Sequence, residues 1–205
     1  TTSWDTILIP SLLERIKGVY LRSIRGLYWY DFALEFRAPK KPEDRHMTSA
    51  IAVAQAFLDL AAKERRSLTN MQLQKLVFFS HGIHLAAFGD SLIEEPVKAW
   101  DFGPVIPALY EKLRRFGRGD VSRDLAPETR GTLDPSGKEF QAIRAVWKAY
   151  GNRDGWSLSE ISHQEGSPWD AVWNKRRMHY CDIPNDLIRS YYSDRVKHTG
   201  ASQVA

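Results

Sequence analysis

Residues 69–89 read "TNMQLQKLVFFSHGIHLAAFG", and this stretch decides the class of the fold. Thr69 and Gln72 stand at the spacing where a hydroxyl and a side-chain amide satisfy each other's orphan backbone groups, so a helix is predicted to begin at Asn70. Gly89 supplies a left-handed stop. Between them, apolar residues occupy most of the helical circumference, which places this helix at the centre of a bundle rather than on its surface.

Upstream, Ala50, Val53, Ala54, Phe57, Leu58 and Ala61 predict an amphipathic helix ending in the charged run "KERR". Downstream, "PVKAWDFGPV" (residues 96–105) predicts a short extended element over 96–102, with Trp100 and Phe102 on one face beside Lys98. Pro104 is expected in the first turn of the next helix, "VIPALYEKLRRF", which stops at Gly117. The polar stretch from Arg118 to Pro135 reads as loop. Capping boxes at Ser136/Glu139 and Ser157/Glu160 predict two further helices. Ser167-Pro168 opens a short one carrying Trp169 and Trp173, and residues 184–198 predict the last.

Before Met47 the pattern differs. Ile9, Leu12, Leu13, Ile16, Val19, Tyr20 and Ile24 form a helical stripe, and Tyr28, Tyr30, Phe32, Leu34 and Phe36 then alternate as in a strand. Residues 37–46, with two prolines among mostly charged residues, read as a linker. The expected class is therefore α+β and helix-dominated: a compact helical domain with a small β element over 47–205, preceded by an N-terminal helix-strand extension and linker over 1–46. That extension admits three readings: a pairing-specific segment, a fused piece, or a start-site artefact.

The 205 residues, 43% hydrophobic and 26% charged, have globular composition. Twenty-nine basic residues against 25 acidic ones leave a net charge of +4, which neither demands nor excludes an acidic partner. Cys181 is the single cysteine, so this chain by itself builds neither an intramolecular disulfide nor a multi-cysteine zinc site. There is no transmembrane-length apolar run and no secretory signal pattern, and a soluble, cytoplasmic protein is expected.

Residues with chemistry in them are few. His81 and His84 share a helix face but lack the glutamate and third ligand of the helical zinc motif, so they read as core histidines, with no metal or other cofactor expected. His163 lies near Glu165 but has no nucleophile or triad partner in a recognisable context, so it reads as a structural residue at a helix end, and no catalytic residue is assigned. The glycines of "FGRGD" follow a helix and serve as a stop rather than a phosphate cradle. The basic clusters "KLRRFGRG" and "NKRRMH", the latter near Trp173 and Tyr180, leave a nucleic-acid-binding regulator as the alternative function.

Gly103 and Pro104 make the reversal after "AWDF" stiff, and stiffly held aromatics lose little entropy on docking, which suits a protein-binding platform. Taken in order, "LTNMQLQKLVFFSHGIHLA", "VKAWDFGPVIPALYEKLRRFG" and "LSEISHQEGSPWDAVW" make residues 47 to about 175 resemble the Panacea domain, the family of the SocA-like antitoxins and phage-associated GepA-like proteins. Leu73, Gln74, Lys75, Leu76, Ala99, Trp100, Gly103, Pro104, Val105, His163 and Trp169 fall on the family pattern, with Ser162 in place of its threonine. The resemblance implies a helix-dominated domain that neutralises a cognate toxin by direct binding, in one branch as an adapter delivering the toxin to a Clp-type protease, and it supplies no catalytic residues. Trp100, Phe102 and Tyr110 are the expected aromatic anchors for that partner, and Lys75 and Arg114 the expected polar contacts.

Overall fold

The computed structural model describes residues 47–200, with side chains described through Ser193. The helix-strand extension and linker expected over 1–46 lie outside the described residues. The order of elements is α1 (Ala50–Lys63), α2 (Asn70–Phe88), β1 (Lys98–Trp100), β2 (Gly103–Val105), α3 (Pro107–Leu113), α4 (Lys138–Tyr150), α5 (Gly155–Ser162), α6 (Pro168–Asp170) and α7 (Asn185–Gly200). Helix dominates, and the two strands form one small antiparallel hairpin. No helix among the described residues is long and apolar enough to cross a membrane.

Helix α2 occupies the centre, as its composition predicts. Every residue from Leu73 to Leu85 is buried, because α1, α4, α5 and α7 all pack against it. Its N-terminus carries the expected reciprocal cap between Thr69 and Gln72, and Gly89 ends it at φ +81°. The rings of Phe79 and Tyr150 meet at 5.1 Å, tying α2 to α4, while Phe78 meets Tyr192 of α7 edge-on at 6.3 Å. Each such buried ring contributes about 1.5–3 kcal/mol by leaving water. Gly82 lets α7 approach closely: a Cβ there would stand 2.3 Å from the Tyr192 ring.

Three local expectations are corrected. Residues 96–102 do not run on as one extended element into a helix at Pro104. The chain turns back on itself at Asp101 and Phe102, with Trp100 paired to Gly103 and Ala99 to Pro104, and the helical proline is Pro107. Gly103, at φ +96°, supplies a conformation that side chains resist. The N–H that Pro104 lacks is not needed by the ladder, because both backbone groups of Ala99 are engaged on β1's other side, with Tyr180 and Cys181. As a result Trp100 and Phe102 part company: Trp100 stays on the ladder and Phe102 sits at the tip.

The other two corrections concern caps. The Ser157/Glu160 box does not form, because the helix begins earlier: Asp154 accepts from the Ser157 N–H at 2.9 Å and also takes the Ser157 hydroxyl. At α4 the N-cap is Gly137 without a side-chain bond, and Ser136 bonds back to Asp134 instead. In both places an aspartate upstream competes successfully for the backbone donor, as its charge favours near a helix start.

Candidate functional site

The hairpin turn is held from beneath by side chains drawn from three separate stretches of sequence. From α2, Lys75 Nζ donates to the Phe102 carbonyl and, at 3.0 Å, to that of Pro104. Its neighbour Gln74 accepts from the Ile106 N–H at 2.9 Å and donates back to the Ile106 carbonyl at 3.3 Å. From α5, the Ser159 hydroxyl reaches the Phe102 carbonyl at 3.0 Å, and His163, which caps that helix and bonds the Ser159 carbonyl at 2.6 Å, lies against Gly103. From α6, the Trp169 indole donates to the Trp100 carbonyl at 2.7 Å.

The carbonyls of Trp100, Phe102 and Pro104 thus each meet a side chain. An unpaired buried carbonyl costs about 1–3 kcal/mol, so this capture selects one conformation of the turn. Gly103 is locked into the same arrangement, since a Cβ on it would fall 2.6 Å from Ser162 Oγ and 2.7 Å from Lys75 Nζ.

Both strand edges are occupied. Beyond β2, the carbonyls of Phe102, Pro104 and Ile106 face donors from α2. Beyond β1, Ala99 and Val97 exchange backbone bonds with Tyr180, Cys181 and Ile183 at 2.7–2.9 Å, and Lys98 pairs with Asp182 at 3.0 Å. The hairpin has no row of free backbone groups onto which another strand could add. What it offers outward is side chains.

Those side chains are aromatic. Trp100 meets Tyr110 edge-on at 5.1 Å and Tyr180 at 6.2 Å. On the far side, His163, Trp169, Trp173 and His179 follow one another in ring contact, with centroids 4.0, 5.6 and 4.0 Å apart. Phe102 stands clear at the tip, 59% exposed. Arg114, one turn beyond Tyr110, is exposed and pairs with Glu111 at 2.9 Å. The structure brings Trp100 and Tyr110 together and leaves Phe102 apart at the tip, but Lys75, expected to meet a partner, lies beneath the turn at 1% exposure. Burial lowers its pKa from 10.5 to about 7. Even the neutral amine keeps two N–H donors, enough for the two carbonyls it serves.

Tyr180, noted in the sequence only beside the basic run, joins the hairpin, which the sequence pattern did not signal. Its hydroxyl donates to Asp101 at 2.7 Å, a contact across 79 positions that no local spacing signals. Among the described side chains the other two histidines lie elsewhere: His81 Nε2 contacts Asn185 at 2.9 Å and His84 Nδ1 contacts the Asp90 carbonyl at 2.8 Å. Among the described residues no cluster of three metal-ligating side chains occurs. A cleft of 160 Å³ between α1, α4 and the loop near Arg130 is bridged by the Asp59–Arg130 pair and does not adjoin the hairpin.

The residues that grip the turn fall inside the stretch that matches a known family. The family described as "Antitoxin SocA-like, Panacea domain" matches residues 73–170. A curated protein named Antitoxin SocA, from Caulobacter vibrioides (strain NA1000 / CB15N), is 30% identical over 143 residues, spanning 66% of this chain and 76% of that protein. This chain belongs to the SocA-like Panacea family. Within this Panacea domain the motif residues Gln74, Lys75, Gly103, Pro104, His163 and Trp169 have a common physical task, which is to fix one hairpin turn. The departure at Ser162 is mild in structure: its hydroxyl bonds the Ser159 carbonyl at 2.7 Å, an interaction threonine makes equally well. No solved structure matches the chain.

Proposed function

We propose that this chain is a cytoplasmic antitoxin that neutralises a cognate protein toxin by direct binding, with the hairpin turn as the centre of the contact surface. The observation that carries this reading is the fixed turn itself, with its carbonyls held from beneath and Phe102 projecting into solvent. A preformed edge avoids most of the ordering cost of association, and exposed aromatics on a rigid support are the usual anchors of protein interfaces. Trp100, Phe102 and Tyr110 serve as the anchors, Arg114 as a polar contact at the rim, and Lys75 as the brace below. The chain makes and breaks no bonds in this reading, and His163 is a structural clamp.

Co-expression with the protein encoded beside this one tests it. Growth rescue and a purifiable complex are expected, and their joint absence overturns the reading. Rescue that survives Trp100→Ala and Phe102→Ala in a folded protein moves the interface elsewhere. Delivery of the toxin to a Clp-type protease would act through the same surface, and a shortened toxin half-life in the presence of this chain separates delivery from simple occlusion. The nucleic-acid alternative predicts retention on DNA that falls steeply with salt.

A further inference from the structure

Every residue from Asn174 to Tyr180 is exposed, after the buried Val172 and the half-buried Trp173. Lys175, Arg176 and Arg177 make this segment cationic, and the nearby acids are already engaged. Asp170 holds Lys175 at 3.4 Å and accepts from Asn174 and Gly166, while Asp101 accepts the Tyr180 hydroxyl. Arg176 and Arg177 have no ion pair among the described residues.

The segment is exposed yet pinned. Arg177 and Tyr180 adopt left-handed backbone at φ +52° and +59°, which costs a non-glycine residue about 1–2 kcal/mol and persists only where the surroundings impose it. Here they are imposed by the Met178 N–H on the Val172 carbonyl at 3.0 Å, the Tyr180 N–H on the Ala99 carbonyl at 2.8 Å, and His179 stacked on Trp173. Tyr180 also lies against Trp100. The segment is therefore a lateral extension of the hairpin edge. Its apolar part is Met178 at 45% and Tyr180 at 54% exposure, and Tyr180 joins it to the hairpin through Asp101, the residue before the exposed Phe102. Cations stand at residues 175–177 in the segment itself, and Arg114, paired with Glu111, follows Tyr110 by one turn.

We infer that residues 174–180 and the hairpin tip together dock an acidic polypeptide segment that carries an apolar side chain between its carboxylates. This rests on the partner-binding reading above and names the chemistry of the partner at that edge. Free arginines in one segment with exposed Met178 and Tyr180 match the composition of a protein interface, and uncompensated cations select a partner of opposite charge. Trp173, the ring next to the cationic run, already has the near-parallel rings of Trp169 and His179 against it, which disfavours base stacking there.

The test uses the full chain and three fluorescent probes: a peptide of about ten residues alternating glutamate with leucine, its glutamine counterpart, and a single-stranded DNA of similar charge. The acidic peptide is expected to bind at low salt about tenfold more tightly than either of the others, and to lose about tenfold with Arg176→Glu/Arg177→Glu or Phe102→Ala. Equal binding of the glutamine peptide, tighter binding of DNA, or indifference to the charge reversal overturns the inference. Both variants alter exposed side chains, and an unchanged melting temperature confirms that they fold. Should the charge reversal leave toxin rescue intact while Trp100→Ala abolishes it, the acidic-partner inference fails and the hairpin reading stands; should neither affect rescue, both fail.

Discussion

Lys75 Nζ lies 3.0 Å from the carbonyl oxygen of Pro104, on a side chain that is buried and has no carboxylate paired to it among the described residues. A cation in that position is desolvated without Coulombic compensation, which is why its pKa falls to about 7.

Below about pH 7 both folded and unfolded chains carry the Lys75 proton, and the folded state bears the full cost of a buried charge. Between about 7 and 10.5 the unfolded chain binds more protons, so this residue makes stability rise with pH across that window. The expected outcome is that the wild type becomes more stable relative to Lys75→Met as pH rises from 7 toward 10, measured by urea unfolding at each pH. A constant difference between the two proteins would show that Lys75 does not titrate in this range.

Gly103→Ala places a methyl against Ser162 and the pinned Lys75 ammonium at a backbone angle that alanine resists. A loss of about 2 kcal/mol in unfolding free energy is expected, together with loss of partner binding. Unchanged stability would mean that the turn relaxes freely.

Gly82→Ala sets two effects against each other. Alanine favours a helix by about 1 kcal/mol over glycine, but here the new methyl meets the Tyr192 ring at 2.3 Å. Overpacking of this kind costs about 1–3 kcal/mol, so net destabilisation is expected in thermal melts. It should shrink in the double variant with Tyr192→Leu, because the clash and the ring are one interaction.

Phe102→Ala separates stability from binding. The ring is exposed at the turn tip, so its loss should change unfolding free energy by no more than about 0.5 kcal/mol. If it anchors the partner, affinity should fall by about 2 kcal/mol, or some thirtyfold, in titration calorimetry. Undiminished affinity removes Phe102 from the interface.

His81, buried between α2 and α7, has its pKa lowered to about 4 by burial, against a raising contribution from Asn185. The unfolded chain therefore takes up this proton first as pH falls, and stability should drop between about pH 6.5 and 4. His81→Gln, which cannot titrate, should flatten that drop in acid unfolding curves. An unchanged slope would assign the acid sensitivity to other groups.

The central helix was legible because everything that specifies it is local: a cap between Thr69 and Gln72, a glycine stop, and an apolar circumference. The helix starts near Asp154 and Gly137 were not, because several polar residues compete for the same orphan donors and their geometry selects the winner. The hairpin was misread for a related reason. Gly-Pro announces a stiff reversal, but whether a strand or a helix follows depends on which backbone groups find partners, and these come from Gln74, Lys75 and Cys181, between 27 and 82 positions away.

The amino-acid order alone determined that α2 is buried, that Gly103 and Pro104 stiffen the reversal, and that Trp100, Phe102 and Tyr110 lie near it. Only the tertiary structure decided which of them face outward, put Lys75 beneath the turn, and added Tyr180 and the cationic segment to the same edge. The physical reason is range: helix propensity and turn stiffness are set by neighbours a few bonds away, whereas burial and hydrogen-bond capture depend on groups that only packing brings together.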